Sequence, residues 1–330
     1  MTTHIISNLQ ELSNFEFEIP NLSLDHIKFD RPNSILLHEE NSKIRNMLSI
    51  WFDPQIKEFK DKKVAYIGHI HVENEDILLK LINEAKAYIK NKGYNYVISP
   101  MDGSTWKKYR LVVDGDKTIP PFYLEPLTPD YFVKGFVDSG FKPISTYYST
   151  LVTPSSESLA KIDEITANLA KYNITIDNIQ NFLHDKQKFI NDIYHLTING
   201  FEGNYLYSPL SIQEFSVMYM PLLEKLDPKY FVVAVHEGKI IGYLLNYPNY
   251  NEMMTGKINT FVLKTLTVDS KYAGKKIGTL FYHMASKLAL QDGFTNVIHS
   301  LMQEDNYSLK ISHKMGAKNI RKYQVFGCDL

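Results

Sequence analysis

Cysteine is almost missing from this chain. Of 330 residues, only Cys328 is one. A disulfide framework needs pairs and a thiolate zinc site needs several, so both are excluded within one copy of the chain. Long hydrophobic runs are missing too. None approaches the ~18 residues that a membrane-crossing helix requires. Excess charge of either sign is absent. Lys and Arg number 36, Asp and Glu 37, and the formal net charge is −1. No bulk field draws such a chain to nucleic acid or an anionic membrane, so an anion site has to be local. Basic residues are not striped with aromatics as in nucleic-acid binders. No Gly-x-Ser-x-Gly elbow and no Walker-type loop occurs. The opening MTTHIISNLQELSNFEFEIP has no basic stretch followed by an apolar one. No signal peptide is expected, and the expected compartment is the cytoplasm.

What is present is length and apolar content. At 330 residues and 44% hydrophobic, the chain is a folded protein with room for two domains. Segments recur. NKGYNYVI (91–98) matches QDGFTNVI (291–298), and each follows a run with apolar residues three and four apart. SGFKPISTYYS (139–149) matches MGAKNIRKYQVF (315–326) in glycine, lysine, isoleucine and tyrosine. The matches keep the same order in each half. We read a duplicated unit of strand, helix, strand, second helix and a hairpin-like pair of strands, giving a mixed α/β (α+β) sheet in each copy. The first copy spans 1–152, a linker with a helix 153–172, and the second copy 173–330. In the second copy YFVVAVHEGKIIGYLLNYPN reads as a hairpin.

One turn stands out. KYAGKKIGT (271–279) joins the apolar run FVLKTLTV to the helical run LFYHMASKLAL. The first turn of a helix leaves N–H groups unpaired, and the helix dipole favours an anion there. Gly274 and Gly278 allow close approach, and Lys271, Lys275 and Lys276 add charge. The equivalent turn of the first copy, VENED, has three acids and no glycine. Acids at a helix start suit a dipole with no ligand. The anion-adapted turn is therefore in one copy only.

LTVDSKYAGKKIGTLFYHMASKLALQDGFTNV resembles the acyl-CoA-binding motif of the GNAT acyltransferase superfamily: a strand, a pyrophosphate loop Arg/Gln-x-x-Gly-x-Gly/Ala, and a helix. EDNYSLKISHKMGAKNIRKYQVF resembles the segment that follows, with Asn306 at a helix start. The resemblance covers about 173–330, and the repeat extends it in weaker form to about 35–152. It implies two GNAT-like domains in tandem, the first degenerate and without the loop. It implies that the backbone of Leu266, Thr267 and Val268 pairs with a pantetheine arm. It also implies that Tyr272 to Thr279, with Ala273 and Ile277 between the glycines and lysines, wrap the pyrophosphate. Ala273 stands where Arg or Gln is usual, Lys276 where the middle glycine is usual, and Ser312 where a general-acid tyrosine is often found. The expected activity is transfer of an acetyl or longer acyl group from CoA to a small-molecule or peptide amine, without a covalent enzyme intermediate. Two other readings stand beside it. One is a non-catalytic acyl-CoA sensor. The other is a transferase of the same double fold using aminoacyl-tRNA, against which the net charge argues.

Acyl transfer to an amine needs a proton acceptor, oxyanion stabilisation and protonation of the leaving thiolate. His299 and Glu304 flank a strand end, and Tyr323 lies in the last strands; these are the catalytic candidates. Tyr323 has a counterpart, Tyr147, in the copy without the loop. SPMDGSTWKKYRLVVDGDKTIPPFYLEP (99–126) is an insertion in the first copy. Its Asp102, Trp106, Arg110 and Glu125 are candidates for an acceptor pocket across the seam, with Trp106 and Arg110 on one face if helical. FEGNYLYSPLS adds Tyr207. His69 and His71 share a face if GHIHV is a strand, but they lack a third ligand nearby, so no metal is expected.

Overall fold

The computed structural model describes the backbone of residues 1–330 and every side chain except that of residue 255. The first half runs β1 (Thr2–Ile6), α1 (Leu24–Asp30), β2 (Ser34–Glu40), β3 (Lys43–Phe52), β4 (Val64–His71), α2 (Glu75–Asn91), β5 (Tyr96–Ser99), β6 (Leu111–Gly115), α3 (Tyr131–Asp138) and β7 (Lys142–Val152). Then come α4 (Glu157–Ala170), β8 (Ile174–Asn178), α5 (Lys186–Phe201), α6 (Ile212–Lys225), β9 (Phe231–His236), β10 (Lys239–Pro248), β11 (Thr260–Val268), α7 (Ile277–Gln291), β12 (Asn296–Gln303), α8 (Tyr307–Lys314) and β13 (Lys318–Asp329). Short 3-10 turns join several of these.

Local sequence explains the two central units. β4–α2–β5 and β11–α7–β12 are parallel strand pairs joined by a helix. In α2, Leu78, Leu81, Ile82, Ala85 and Ile89 are buried, the three-and-four spacing of one helical face. α7 buries Ile277, Leu280, Phe281, Ala285 and Leu288 in the same way. After the helices, Gly93 and Gly293 take φ of 87° and 76°. There a side chain would be strained, which is why the repeat keeps a glycine.

All 13 strands form one sheet, in the order β1-β2-β3-β4-β5-β13-β7-β12-β11-β10-β9-β8, with β6 also paired to β13. The halves exchange their last strands. β13 leaves the second half and pairs with β5, from Phe326↔Ser99 to Asp329↔Tyr96. β7 leaves the first half and pairs with β12, from Val297↔Val152 to Gln303↔Tyr147. β7 and β13 then pair with each other, with Tyr147 opposite Tyr323. Each half therefore ends in one long strand, where the sequence led us to expect a hairpin-like pair. The insertion 99–126 is not helical; it is turns plus β6, so Trp106 and Arg110 do not share a helix face. Trp51, Tyr66, Ile98, Tyr147, Leu206, Tyr323 and Val325 form a core to which both halves contribute.

Candidate functional site

β11 and β12 are in register from Thr260↔Asn296 only as far as Leu263↔His299. Beyond that they splay. On its other side β11 stays paired with β10 as far as Gly242↔Val268, with a bulge that leaves Lys264 without a direct partner. One backbone edge of Lys264–Val268 is thus left unpaired within the sheet. Such groups seek hydrogen bonds. Leu301 in β12 has φ of 59°, so that strand turns away sharply at the register break. The splay opens a cavity of about 1300 Å³.

The loop 271–279 closes one end of this cavity. Gly274 has φ of 79°, and a Cβ there would meet nothing within 4 Å. Lys276 sits at the N-cap of α7 with φ of 63°; no side chain caps that helix and its first turn has no acid. In α2, by contrast, Asn74 caps through the Ile77 N–H and Glu75 and Asp76 occupy the first turn. One helix start satisfies itself and the other is open to an anion. The splay of the first half is also filled. There Met101 N–H bonds to the Ile67 carbonyl and His69 N–H to Asp102 Oδ1 at 2.7 Å.

Leu266, Thr267, Val268, Tyr272, Ala273, Gly274, Lys276, Ile277, Gly278, Thr279 and Asn306 all line the cavity. Asn306 also caps α8 through the Ser308 N–H. Lys271 and Lys275 do not line it. Lys275 instead places its ammonium 3.3 Å from the centre of the Tyr172 ring. Of the acceptor candidates, Trp106, Arg110, Glu125 and Tyr207 line the cavity. Trp106 donates from Nε1 to the Ser208 carbonyl at 2.9 Å, tying the insertion to the second half. Asp102 is a correction: its carboxylate is committed to the first half beside His69.

The three catalytic candidates also need correction. His299 is fully buried beneath Tyr282, hydrogen-bonded through Nδ1 to Ser312 Oγ at 2.7 Å. Burial holds its imidazole down to about 3, so it is a neutral core residue at neutral pH. Glu304 is exposed outside the cavity and accepts from Tyr148. Tyr323 is buried beneath the cavity wall; its hydroxyl donates to Glu125 and bonds Ser149 Oγ. Because β7 is the strand beside β12, the matched tyrosine that reaches the cavity is Tyr147.

Lys264 was missed by the sequence reading. It lines the cavity at the splay. Burial, with the Arg110 charge adding, lowers its ammonium to about 8, while Glu125 opposes the shift. A lysine inside an apolar strand was a signal in plain view in FVLKTLTV, but not distinguishable there from a solvated edge residue. Glu125 is pushed up by burial, against Tyr323 and Arg321, which stabilise its carboxylate. Away from the cavity, His26, Asp30 and His69 bring ligand atoms within 4.8 Å of one another. Asp30 there already pairs with the Lys107 ammonium at 2.7 Å and His69 Nε2 at 2.9 Å.

Residues 190–316 match the model of the Acetyltransferase (GNAT) family. Among solved structures, a GCN5-related glucosamine N-acetyltransferase region of a fungal multi-domain GH3 β-N-acetylglucosaminidase is similar, with TM-score 0.54 and 16% identity over 99% of this chain. This chain covers 38% of that longer one. A tandem GNAT protein from the clavulanic acid biosynthesis pathway matches with TM-score 0.50 and 11% identity, covering 99% of this chain and 98% of its own. A GCN5-related N-acetyltransferase from Sphaerobacter thermophilus matches at TM-score 0.49 and 11% identity, over 98% of this chain and 90% of its own. No curated protein sequence matches significantly. Residues 190–316 thus carry a GNAT-family match, and the chain as a whole has the fold of a tandem GNAT structure, two GNAT-like halves sharing one sheet.

Proposed function

We propose that the protein transfers an acyl group from acyl-CoA to an amine, with the second half binding the donor and the insertion of the first half shaping the acceptor site. The observation that carries this reading is the single cavity that joins an unpaired strand edge, Lys264–Val268, to an uncapped helix start at Lys276. The pantetheine arm of CoA carries amides that pair with a strand edge, and its pyrophosphate suits the helix start. Thr267 and Val268 lie along the first, Gly274, Lys276 and Gly278 around the second.

The chain's own groups then have separable tasks. Backbone N–H groups of the open β11 edge are the donors this reading assigns to a developing oxyanion. Lys264, with a pKa brought to about 8, is poised to exchange a proton near neutral pH. As the acceptor nitrogen forms its bond to the acyl carbon and the carbon–sulfur bond breaks, the amine proton passes to Lys264 Nζ and on to the leaving sulfur. Trp106, Tyr147 and Tyr207 give the cavity aromatic walls.

The test is CoA release from acetyl-CoA and a long-chain acyl-CoA over a panel of amines. Amine-dependent release, abolished with the amine omitted, is the expected result. Saturable acyl-CoA binding with no release for any amine would make the protein a sensor and overturn the enzymatic reading.

A further inference from the structure

Resting on the reading above, we propose that Arg110 binds a carboxylate of the acceptor, so that the acceptor is an amino acid or another amine bearing a carboxylate. Arg110 is only 6% exposed, and it lines the cavity at the floor of the splay. Its guanidinium lies 3.8 Å from the centre of the Tyr109 ring and 4.1 Å from that of Tyr147. The two rings are nearly perpendicular, with centroids 5.7 Å apart, so they hold the guanidinium from two adjoining sides. Its backbone has φ of 77°, unusual for a residue other than glycine, so the chain holds this side chain in place at a local cost.

The guanidinium's donors are little used within the protein. Nη1 reaches the Leu301 carbonyl at 3.4 Å, and among the described residues Arg110 belongs to no ion pair. Arg321 shows what a structural arginine looks like in the same molecule. It donates to the carbonyls of Asp116, Ile320 and Ile119 and pairs with Glu125 at 3.4 Å. A guanidinium removed from water is costly unless an anion meets it. The one acid lining the cavity among the described residues is Glu125, already engaged by Arg321 and Tyr323. The neighbouring Lys264 adds positive potential rather than compensation. A planar fork at a cavity floor, with donors beyond the one directed at Leu301, matches a carboxylate bidentately. Arg110 comes from the insertion of the first half, the side of the cavity away from the loop 271–279, which places the anion on the acceptor rather than on the donor's pyrophosphate. A dicarboxylic acyl group is the other source of the same chemistry, and the test separates them.

The probes are the 20 common amino acids as free acids and as carboxamides, each with acetyl-CoA, followed by CoA release in wild type, Arg110→Ala and Arg110→Lys. Acetyl-CoA and succinyl-CoA are compared as donors. Acetyl-CoA binding to each variant is measured by calorimetry, which also reports that the variant is folded. We expect at least one free acid to exceed its amide by on the order of tenfold or more in kcat/KM. Arg110→Ala should remove that ratio, mainly through KM, while acetyl-CoA affinity stays within about twofold. Arg110→Lys should restore part of it. Amides used as well as acids would overturn the proposal. So would an acid preference unchanged in Arg110→Ala, or normal acetyl-CoA binding with no turnover of any acid. A succinyl-CoA preference that disappears in Arg110→Ala would move the carboxylate to the acyl group and overturn it also. Failure of acetyl-CoA to bind wild type would instead overturn the functional reading on which the proposal rests.

Discussion

Lys264 carries opposite demands. Its side chain is held in a cavity beside Arg110, and desolvation lowers its pKa from 10.5 to about 8. Between those values the unfolded chain binds more protons at this site than the folded one. The site therefore contributes a destabilisation that is full below pH 8 and fades as pH rises toward the ordinary value. Lys264→Met should raise the melting temperature at pH 7, and calorimetric scans at pH 7 and pH 9.5 should show the gain shrinking at the higher pH. If Lys264 takes the amine proton, the rate should rise with pH to a plateau above about 8. The same variant should lose about 10²–10⁴-fold in rate. A variant that melts higher yet keeps its rate and pH profile would remove Lys264 from the chemistry. The histidine in HSLMQED illustrates the opposite error. Its sequence offered a base near neutral pH, but the structure places His299 in the core under Tyr282. Local sequence shows that a residue can titrate, not whether water reaches it.

The loop and the two parallel units were legible as elements. A strand, a glycine-marked turn and a helix follow from spacing alone, and the contrast between KYAGKKIGT and VENED appears in the structure as an uncapped α7 against a capped α2. What sequence did not distinguish was which lysine faces inward. Lys276 occupies the left-handed N-cap and lines the cavity; Lys275 turns out over Tyr172. Lys276→Glu should weaken CoA binding by on the order of tenfold or more, placing a like charge against the pyrophosphate. Lys275→Glu should cost much less, since its ammonium is committed elsewhere. Titration of both variants with CoA checks the pair. Equal losses would mean that only the loop's overall charge matters.

At the scale of the molecule, exchange of the last strands decides what sequence was unable to show. The repeat identified Tyr147 and Tyr323 as equivalent, and the loop lies in the second half, so Tyr323 was the natural candidate. β7 and β13 trade places, and the residue beside the cavity is Tyr147. Strand order depends on contacts between residues far apart, such as Gln303 with Tyr147, for which short-range patterns carry no signal. The exchange also makes the halves interdependent. Residues 1–152 alone would lack β13 and expose the edge of β5; residues 153–330 alone would lose β7 from beside β12. We expect the whole chain to unfold in one cooperative step, and either half expressed alone to aggregate or lack a melting transition. A well-folded isolated second half with a sharp transition would contradict that. The cavity depends on the same exchange, because its walls come from both halves.

The central claim is that the splay and the loop together hold acyl-CoA, and it is tested most directly by calorimetric titration of the whole protein with CoA, acetyl-CoA and a long-chain acyl-CoA. The account predicts saturable binding at one site per chain, weakened by Lys276→Glu. The ranking of the three ligands would identify the donor class. No saturable binding of any of the three would contradict it, and KYAGKKIGT would then be an ordinary basic turn between a strand and a helix.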